Sequence, residues 1–140
     1  MGKYKWYQIK ELIKCQKRII RNITNSNFID HTKPLFKKIN CLNINDINTL
    51  ETLKIIHDTQ YGTLPSSLFE GNIKNVDIHN HDTRQKNNFH LKSRKLDITK
   101  SNSVLYRGRN IWNNLLVSEK NILSKQKFIS CIKKKLINQY

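Results

Sequence analysis

The sequence predicts a mainly α fold: about five helices in a small bundle, with a long polar loop at 71–103 that has room for a short two-stranded β ribbon. Three observations lead there. Apolar residues recur at 3.6-residue spacing in successive stretches. Only two short runs have extended character. Leu, Ile, Val and Phe number 14, 19, 3 and 5, or 41 of 140, which clears the level of roughly 20% below which chains stay disordered. A chain of this length suits one domain, 1–140, with 71–103 as a loop-rich excursion.

Residues 4–24 form the first expected helix. Ile9, Leu12, Ile13, Ile19, Ile20 and Ile23 share a face, with Trp6 at its edge. Asn22, Thr24, Asn25, Ser26 and Asn27 end it. Thr32-Lys33-Pro34 reads as a second start leading into Leu35, Phe36 and Ile39. Asn45 or Asp46 caps a third helix through about Gln60 carrying Ile47, Leu50, Leu53 and Ile56, with Gly62 at its C′ position and Pro65 beyond. Ser66–Glu70 adds one short turn.

From 71 to 103 the pattern degrades into Asn, Asp, His, Lys and Ser. Phe89-His90-Leu91 and Val104-Leu105-Tyr106 are the two extended runs and are expected to pair. A fourth helix is expected over Arg109–Val117. A last one runs from a Ser124 cap to about Asn138, with Phe128, Ile132, Leu136 and Ile137 inward and Lys133, Lys134 and Lys135 near its negative end.

Composition narrows the function. The chain has 26 Lys and Arg against 10 Asp and Glu, for a net charge of +16. It has no Ala but 18 Asn, 19 Ile and 20 Lys. A/T-rich coding accounts for that trio but not for the scarcity of acids. The charge is segregated: residues 1–38 carry ten cations and two acids, 39–71 one and four, 72–109 nine and three, and 110–140 six and one. Such an excess points to a polyanion, most simply nucleic acid. No apolar run approaches the ~20 residues of a spanning helix, so no membrane partner is expected. Cys15, Cys41 and Cys131 are odd in number and form no CxxC pair, which suits an intracellular setting in nucleus or cytoplasm.

Among local patterns, Lys10, Lys14, Lys17 and Arg21 come first. Their i, i+4, i+7, i+11 spacing sets four cations along ~16 Å of helix, and Arg18 adds a fifth. Most charge stripes are merely solvated faces, but the shortage of Glu here favours binding. Asp77-Ile78-His79-Asn80-His81-Asp82 has the DxHxH spacing that sets two imidazoles toward a metal. Such sites draw further ligands from a large barrel, for which this chain is too short. The spacing of His90, Cys41 and Cys131 matches no ligand signature. No Asp-Asp pair and no GxxxxGK[ST] loop is present, so neither catalysis nor a cofactor is expected. Arg107-Gly108-Arg109 offers guanidinium planes to phosphates, whereas Trp112 is better assigned to the core.

These pieces resemble, in order, the C-terminal tail of reverse transcriptases from LINE-type (non-LTR, jockey-like) retrotransposons. The matching segments are Gln16-Lys17-Arg18-Ile19-Ile20-Arg21, His31-Thr32-Lys33-Pro34-Leu35-Phe36 and Leu64-Pro65-Ser66. They continue with His79-Asn80-His81-Asp82-Thr83-Arg84, Leu105-Tyr106-Arg107-Gly108 with Trp112-Asn113, and Phe128 ahead of Lys133-Lys134-Lys135. The resemblance spans about 6–138. His81 stands where the family has Tyr, and Leu116 where its Trp-Asn-x-Leu-Pro run ends in Pro. The family's fingers, palm and Tyr/Phe-x-Asp-Asp site, with its magnesium, are missing.

The resemblance implies that RNA-directed DNA synthesis belongs to the parent enzyme, and that this tail, no enzyme on its own, grips template RNA or target DNA beside the thumb. The expected partners are RNA or DNA and the remainder of a reverse transcriptase. The expected contacts are Lys10, Lys14, Lys17, Arg18, Arg21, Arg84, Arg107, Arg109, Lys133, Lys134 and Lys135. Two other readings stand beside it: a small metal-dependent hydrolase built on Asp77, His79 and His81, and a transposon remnant without a role.

Overall fold

A computed structural model describes residues 2–64, 73–79, 81, 83–91 and 104–140. Among them are six helices: α1 (Gly2–Thr24), α2 (Thr32–Lys38), α3 (Ile44–Gln60), α4 (Val104–Asn113), α5 (Val117–Lys120) and α6 (Lys125–Ile137). The fold is mainly helical, a small helical bundle as the periodicity predicts. Two compact units can be distinguished, Met1–Asn48 with Ser130–Tyr140, and Thr49–Ile129. The turn expected at Ser66–Glu70 and the side chain of Trp6 lie outside the described residues.

In the first unit α1 buries a narrower face than its apolar pattern suggests. Ile20 is buried and Ile9, Ile13, Gln16 and Thr24 are half-buried, whereas Leu12, Ile19 and Ile23 are exposed. The six apolar residues subtend a wide arc, and the covered part is centred on Gln16. That side chain donates to the Leu42 carbonyl at 3.0 Å and accepts from the Ile44 amide at 3.0 Å. Its amide therefore satisfies both backbone groups of the segment entering α3.

α1 ends as Asn25 turns to φ 48°, a left-handed conformation that Asn tolerates. α2 begins at Thr32, itself buried, with Pro34 in the first turn, where its missing N–H is no loss. Asn43 caps α3 in place of the expected Asn45 or Asp46: its Oδ1 accepts from the Asp46 amide at 3.0 Å. Ile47, expected inward, is exposed. Phe36, Leu42, Ile132, Leu136 and Ile137 join Ile20 in burial. Tyr140 lies 5.9 Å from the Phe36 ring, centroid to centroid, and its hydroxyl accepts from the Asn43 amide at 3.0 Å.

The second unit is built on the remainder of α3. Leu50, Leu53 and Ile56 are buried together with Phe89, Trp112, Leu115 and Phe128. Gly62 takes φ 71° as predicted for a C′ residue, and Thr63 N–H reaches back to the Asp58 carbonyl at 3.0 Å, the six-to-one bond of a Schellman ending. His57 is 2% exposed. Its Nε2 lies 2.8 Å from the Ile122 carbonyl, and its ring is 4.7 Å from Tyr61 and 4.6 Å from Phe128.

Residues 73–79 and 83–91 lie against each other. Lys74 and Phe89 form an antiparallel bridge, flanked by Asn75 N–H to the Asn88 carbonyl at 3.0 Å and His90 N–H to the Ile73 carbonyl at 2.7 Å. The expected pairing of Phe89–Leu91 with Val104–Tyr106 does not occur, because Val104–Tyr106 is the first turn of α4. That helix also starts earlier than the expected Arg109 and stops at Asn113 rather than at Val117. Asn113 is spent on other bonds: its Oδ1 accepts from Phe89 N–H and its Nδ2 donates to the Phe89 carbonyl, both at 2.9 Å. An amide side chain thus supplies the strand-like partner that the sequence suggested a strand would supply. Leu116, free to take an extended backbone, opens α5, and its N–H donates to Glu119 Oε2 at 2.8 Å.

Candidate nucleic-acid interface

The cations singled out from the sequence lie on four elements. Five of them are on α1, where Lys10, Lys14, Lys17 and Arg18 are exposed and Arg21 is half-buried. Helical periodicity brings Lys10, Lys14, Lys17 and Arg21 onto one flank of the packed Ile13–Gln16–Ile20–Thr24 face, with Leu12, Ile19 and Ile23 on the other flank. α1 as a whole carries seven cations and one acid, Glu11. That acid pairs with Lys14 at 2.8 Å, and the hydrogen bond, followed by the Lys14 charge, holds its carboxyl below the usual range. With both side chains well exposed, the pair contributes little stability but fixes Lys14 along the helix.

Arg21 is engaged more closely. Its Nε and Nη2 donate to the Asp30 carbonyl at 3.2 and 2.9 Å, and its guanidinium carbon lies 5.4 Å from the centre of the Phe28 ring. The loop after α1 is tied at several further points. Ser26 N–H bonds the Arg21 carbonyl at 3.0 Å, Asp30 N–H the Asn27 carbonyl at 3.1 Å, and Asn27 N–H the Asp30 carboxylate at 2.7 Å. Phe28 had no place among the sequence-derived candidates. An aromatic residue after an Asn-rich helix end reads as the return to a core, yet this ring is 77% exposed.

On α6, Lys134 is exposed, while Lys133 and Lys135 border the buried Ile132–Leu136 face. α6 holds five cations and no acid. Lys125, at its start, reaches Asp58 at 2.6 Å. Arg84 is exposed in the turn of the 73–91 segment. Arg107 is exposed on α4, and Arg109 is half-buried with its guanidinium 5.9 Å from the Phe89 ring centre. Between these two arginines, Gly108 is buried against α3, so the tripeptide divides its roles between packing and surface.

The DxHxH segment has local work to do. The Asp77 carboxylate accepts from Lys74 N–H at 2.8 Å and closes the 3-10 turn Asn75–Asp77. His79 and His81 are exposed and line an open cleft with Asn75, Thr83 and Gln85. Asn80 and Asp82 lie outside the described residues. Among the described residues no group of three or more His, Cys, Asp or Glu side chains is placed to hold a metal, and no helix is long and apolar enough to cross a membrane. Cys15, Cys41 and Cys131 are free thiols. No protein-family model, curated protein or solved structure matches the chain.

Proposed function

We propose that the chain grips nucleic acid through its phosphates, as the C-terminal region of a non-LTR retrotransposon reverse transcriptase, in the nucleus or cytoplasm and without chemistry of its own. One observation carries the reading: Lys10, Lys14 and Lys17 are exposed along one flank of α1 with Arg21 at its end, on a helix whose sequence holds seven cations and a single acid. A solvated helix face selected for solubility alone would interleave both signs. A cation excess at helical spacing is the electrostatic footprint of a phosphate track. The ordered resemblance of the chain to the reverse-transcriptase tail supports the same reading and names the rest of that enzyme as a protein partner.

The test is titration of labelled RNA and DNA by fluorescence anisotropy across a range of salt. Affinity should fall steeply with salt, the four stripe cations contributing a log–log slope of about −3. Changing Lys10, Lys14, Lys17 and Arg21 to Glu should weaken binding at least about tenfold. Because Arg21 also holds the following loop, the triple change at Lys10, Lys14 and Lys17 is the cleaner measurement. Unaltered affinity in the triple variant, or binding indifferent to salt, removes the phosphate track.

A further inference from the structure

The loop that follows α1 uses a dense set of hydrogen bonds to hold an apolar ring outward. Asn27 and Asp30 close a turn through two bonds, at 2.7 and 3.1 Å, and the Asp30 carbonyl takes both donors from Arg21. Inside that turn Phe28 is 77% exposed and Ile29 90% exposed. Isolated apolar residues on a surface are ordinary. A loop ordered by this many bonds, around two adjacent large apolar side chains with no cover from their own unit, is not simply slack chain. Ordering costs conformational entropy, and nothing apolar is gained within the unit in return.

Position adds meaning to the exposure. Arg21 is the last cation of the α1 stripe, ~16 Å from Lys10 along the helix axis. Its guanidinium rests on one face of the Phe28 ring, 5.4 Å from the centroid. The ring therefore stands where the cationic track ends, beside a cation and 77% exposed. A cation under an aromatic ring with its other face free is the arrangement on which an unstacked base settles, because every base offers a π face and no hydrogen-bond pattern need match. A duplex keeps its bases stacked and cannot offer that face.

We propose that Phe28 is a base-stacking residue and that α1 with the 25–31 loop forms a site for single-stranded nucleic acid. The backbone phosphates run along Lys10, Lys14 and Lys17, and one base lies on Phe28 at the Arg21 end. The inference rests on the phosphate-gripping reading and adds strand state to it. Asp30, two residues beyond Phe28, turns its carboxylate back to the Asn27 amide, so it closes the turn while lowering the local positive potential. Asp30→Asn keeps an acceptor for that amide and removes the charge.

The experiment compares a labelled oligouridylate of about twelve nucleotides with a duplex of equal length, by anisotropy at one salt concentration. Phe28→Ala should lose about five- to fiftyfold in single-strand affinity and stay within about twofold on the duplex. Phe28→Trp should retain single-strand binding, and its emission should be quenched as the oligonucleotide is added. Asp30→Asn should raise affinity for both ligands by a similar factor. Since Phe28 is exposed, its removal leaves the helical circular dichroism and melting temperature near those of the parent.

Unchanged single-strand affinity in Phe28→Ala overturns the stacking site. So does an equal loss on both ligands, which would make the ring a mere brace for the loop. In either case the phosphate reading stands if the Lys10, Lys14 and Lys17 triple variant still loses binding. Failure of the unaltered protein to bind either ligand removes both proposals together.

Discussion

Gly108 of α4 lies so close to Ile56 of α3 that a Cβ built on the glycine would sit 2.6 Å from Ile56 Cγ1 and 2.9 Å from its Cδ1. Thr52 Cγ2 would be 3.0 Å away on the same side. Ile56 is completely buried, so its side chain is surrounded by protein. Gly108→Ala should therefore destabilise the protein by about 1–3 kcal/mol through overpacking, despite the better helix propensity of Ala. Thermal melts of the single variants and of Gly108→Ala with Ile56→Ala test this. The double variant should lose less than the sum of the two, and strict additivity would mean the close approach is absent.

Asn113 takes the place of a strand for Phe89, bonding both its N–H and its carbonyl at 2.9 Å. Only a side-chain amide offers one donor and one acceptor in that geometry. Asn113→Asp turns the donor into a second acceptor facing the Phe89 carbonyl and should lower stability by about 1–3 kcal/mol. Hydrogen exchange provides the local readout: repulsion between the new carboxylate oxygen and the Phe89 carbonyl should push the segment off Asn113, so the Phe89 amide loses protection although its acceptor remains. Equal protection in both proteins would show that this bond is not what holds the segment.

Tyr140 donates its hydroxyl proton to the Asp46 carboxylate and accepts from the Asn43 amide at 3.0 Å and its Nδ2 at 2.9 Å. Burial first, then the carboxylate beside it, pushes the phenol from its ordinary 10.0 up to about 12. A folded-state pKa above the unfolded one means the neutral phenol favours the fold. That contribution is complete below pH 10 and disappears as the pH rises through about 12. Melting curves of the parent and Tyr140→Phe should differ at neutral pH by about 1–2 kcal/mol and converge across this window. A gap that stays constant with pH would count against the buried phenol.

His57 presents its Nε2 to the Ile122 carbonyl at 2.8 Å. A carbonyl only accepts, so Nε2 must carry a proton. Long-range nitrogen–proton correlation spectra report the tautomer directly and should show Nε2–H. His57→Phe keeps the ring stack with Tyr61 and Phe128 but strands the Ile122 carbonyl, at a cost of about 1–3 kcal/mol. An Nε2 without a proton would contradict this packing.

Much of the secondary structure was legible because it obeys local rules. The ends of α1 at Thr24 and α3 at Gln60 follow from Asn25 and Gly62, each at positive φ. Trp112 and Phe128 were assignable to the core from periodicity alone, and both are buried. The misreadings came where a distant partner decides the outcome. Val104–Tyr106 has the β-branched and aromatic character of a strand, yet the chain coils there and leaves Asn113 to pair with Phe89. Leu12, Ile19 and Ile23 look inward on a helical wheel, but Gln16 is the residue that meets backbone from 42–44 and turns the helix about its axis.

The candidate site divides in the same way. The α1 stripe is visible as a spacing of lysines, since residues four and seven apart on any helix share a flank. Phe28 is not visible as part of it, because its role depends on Arg21 folding back to the Asp30 carbonyl, nine residues on.

By itself, then, the chain of residues determined that the fold is mainly helical, where α1 and α3 end, which cations share a flank and how large the charge excess is. Each of these follows from dihedral preference, 3.6-residue periodicity or simple charge balance within a few neighbours. Tertiary structure alone decided which half of the α1 apolar arc is covered, which side chain pairs with Phe89 and whether the Phe28 ring faces inward or out. Those outcomes depend on steric fit and hydrogen-bond satisfaction between segments far apart in the chain, which no local pattern encodes.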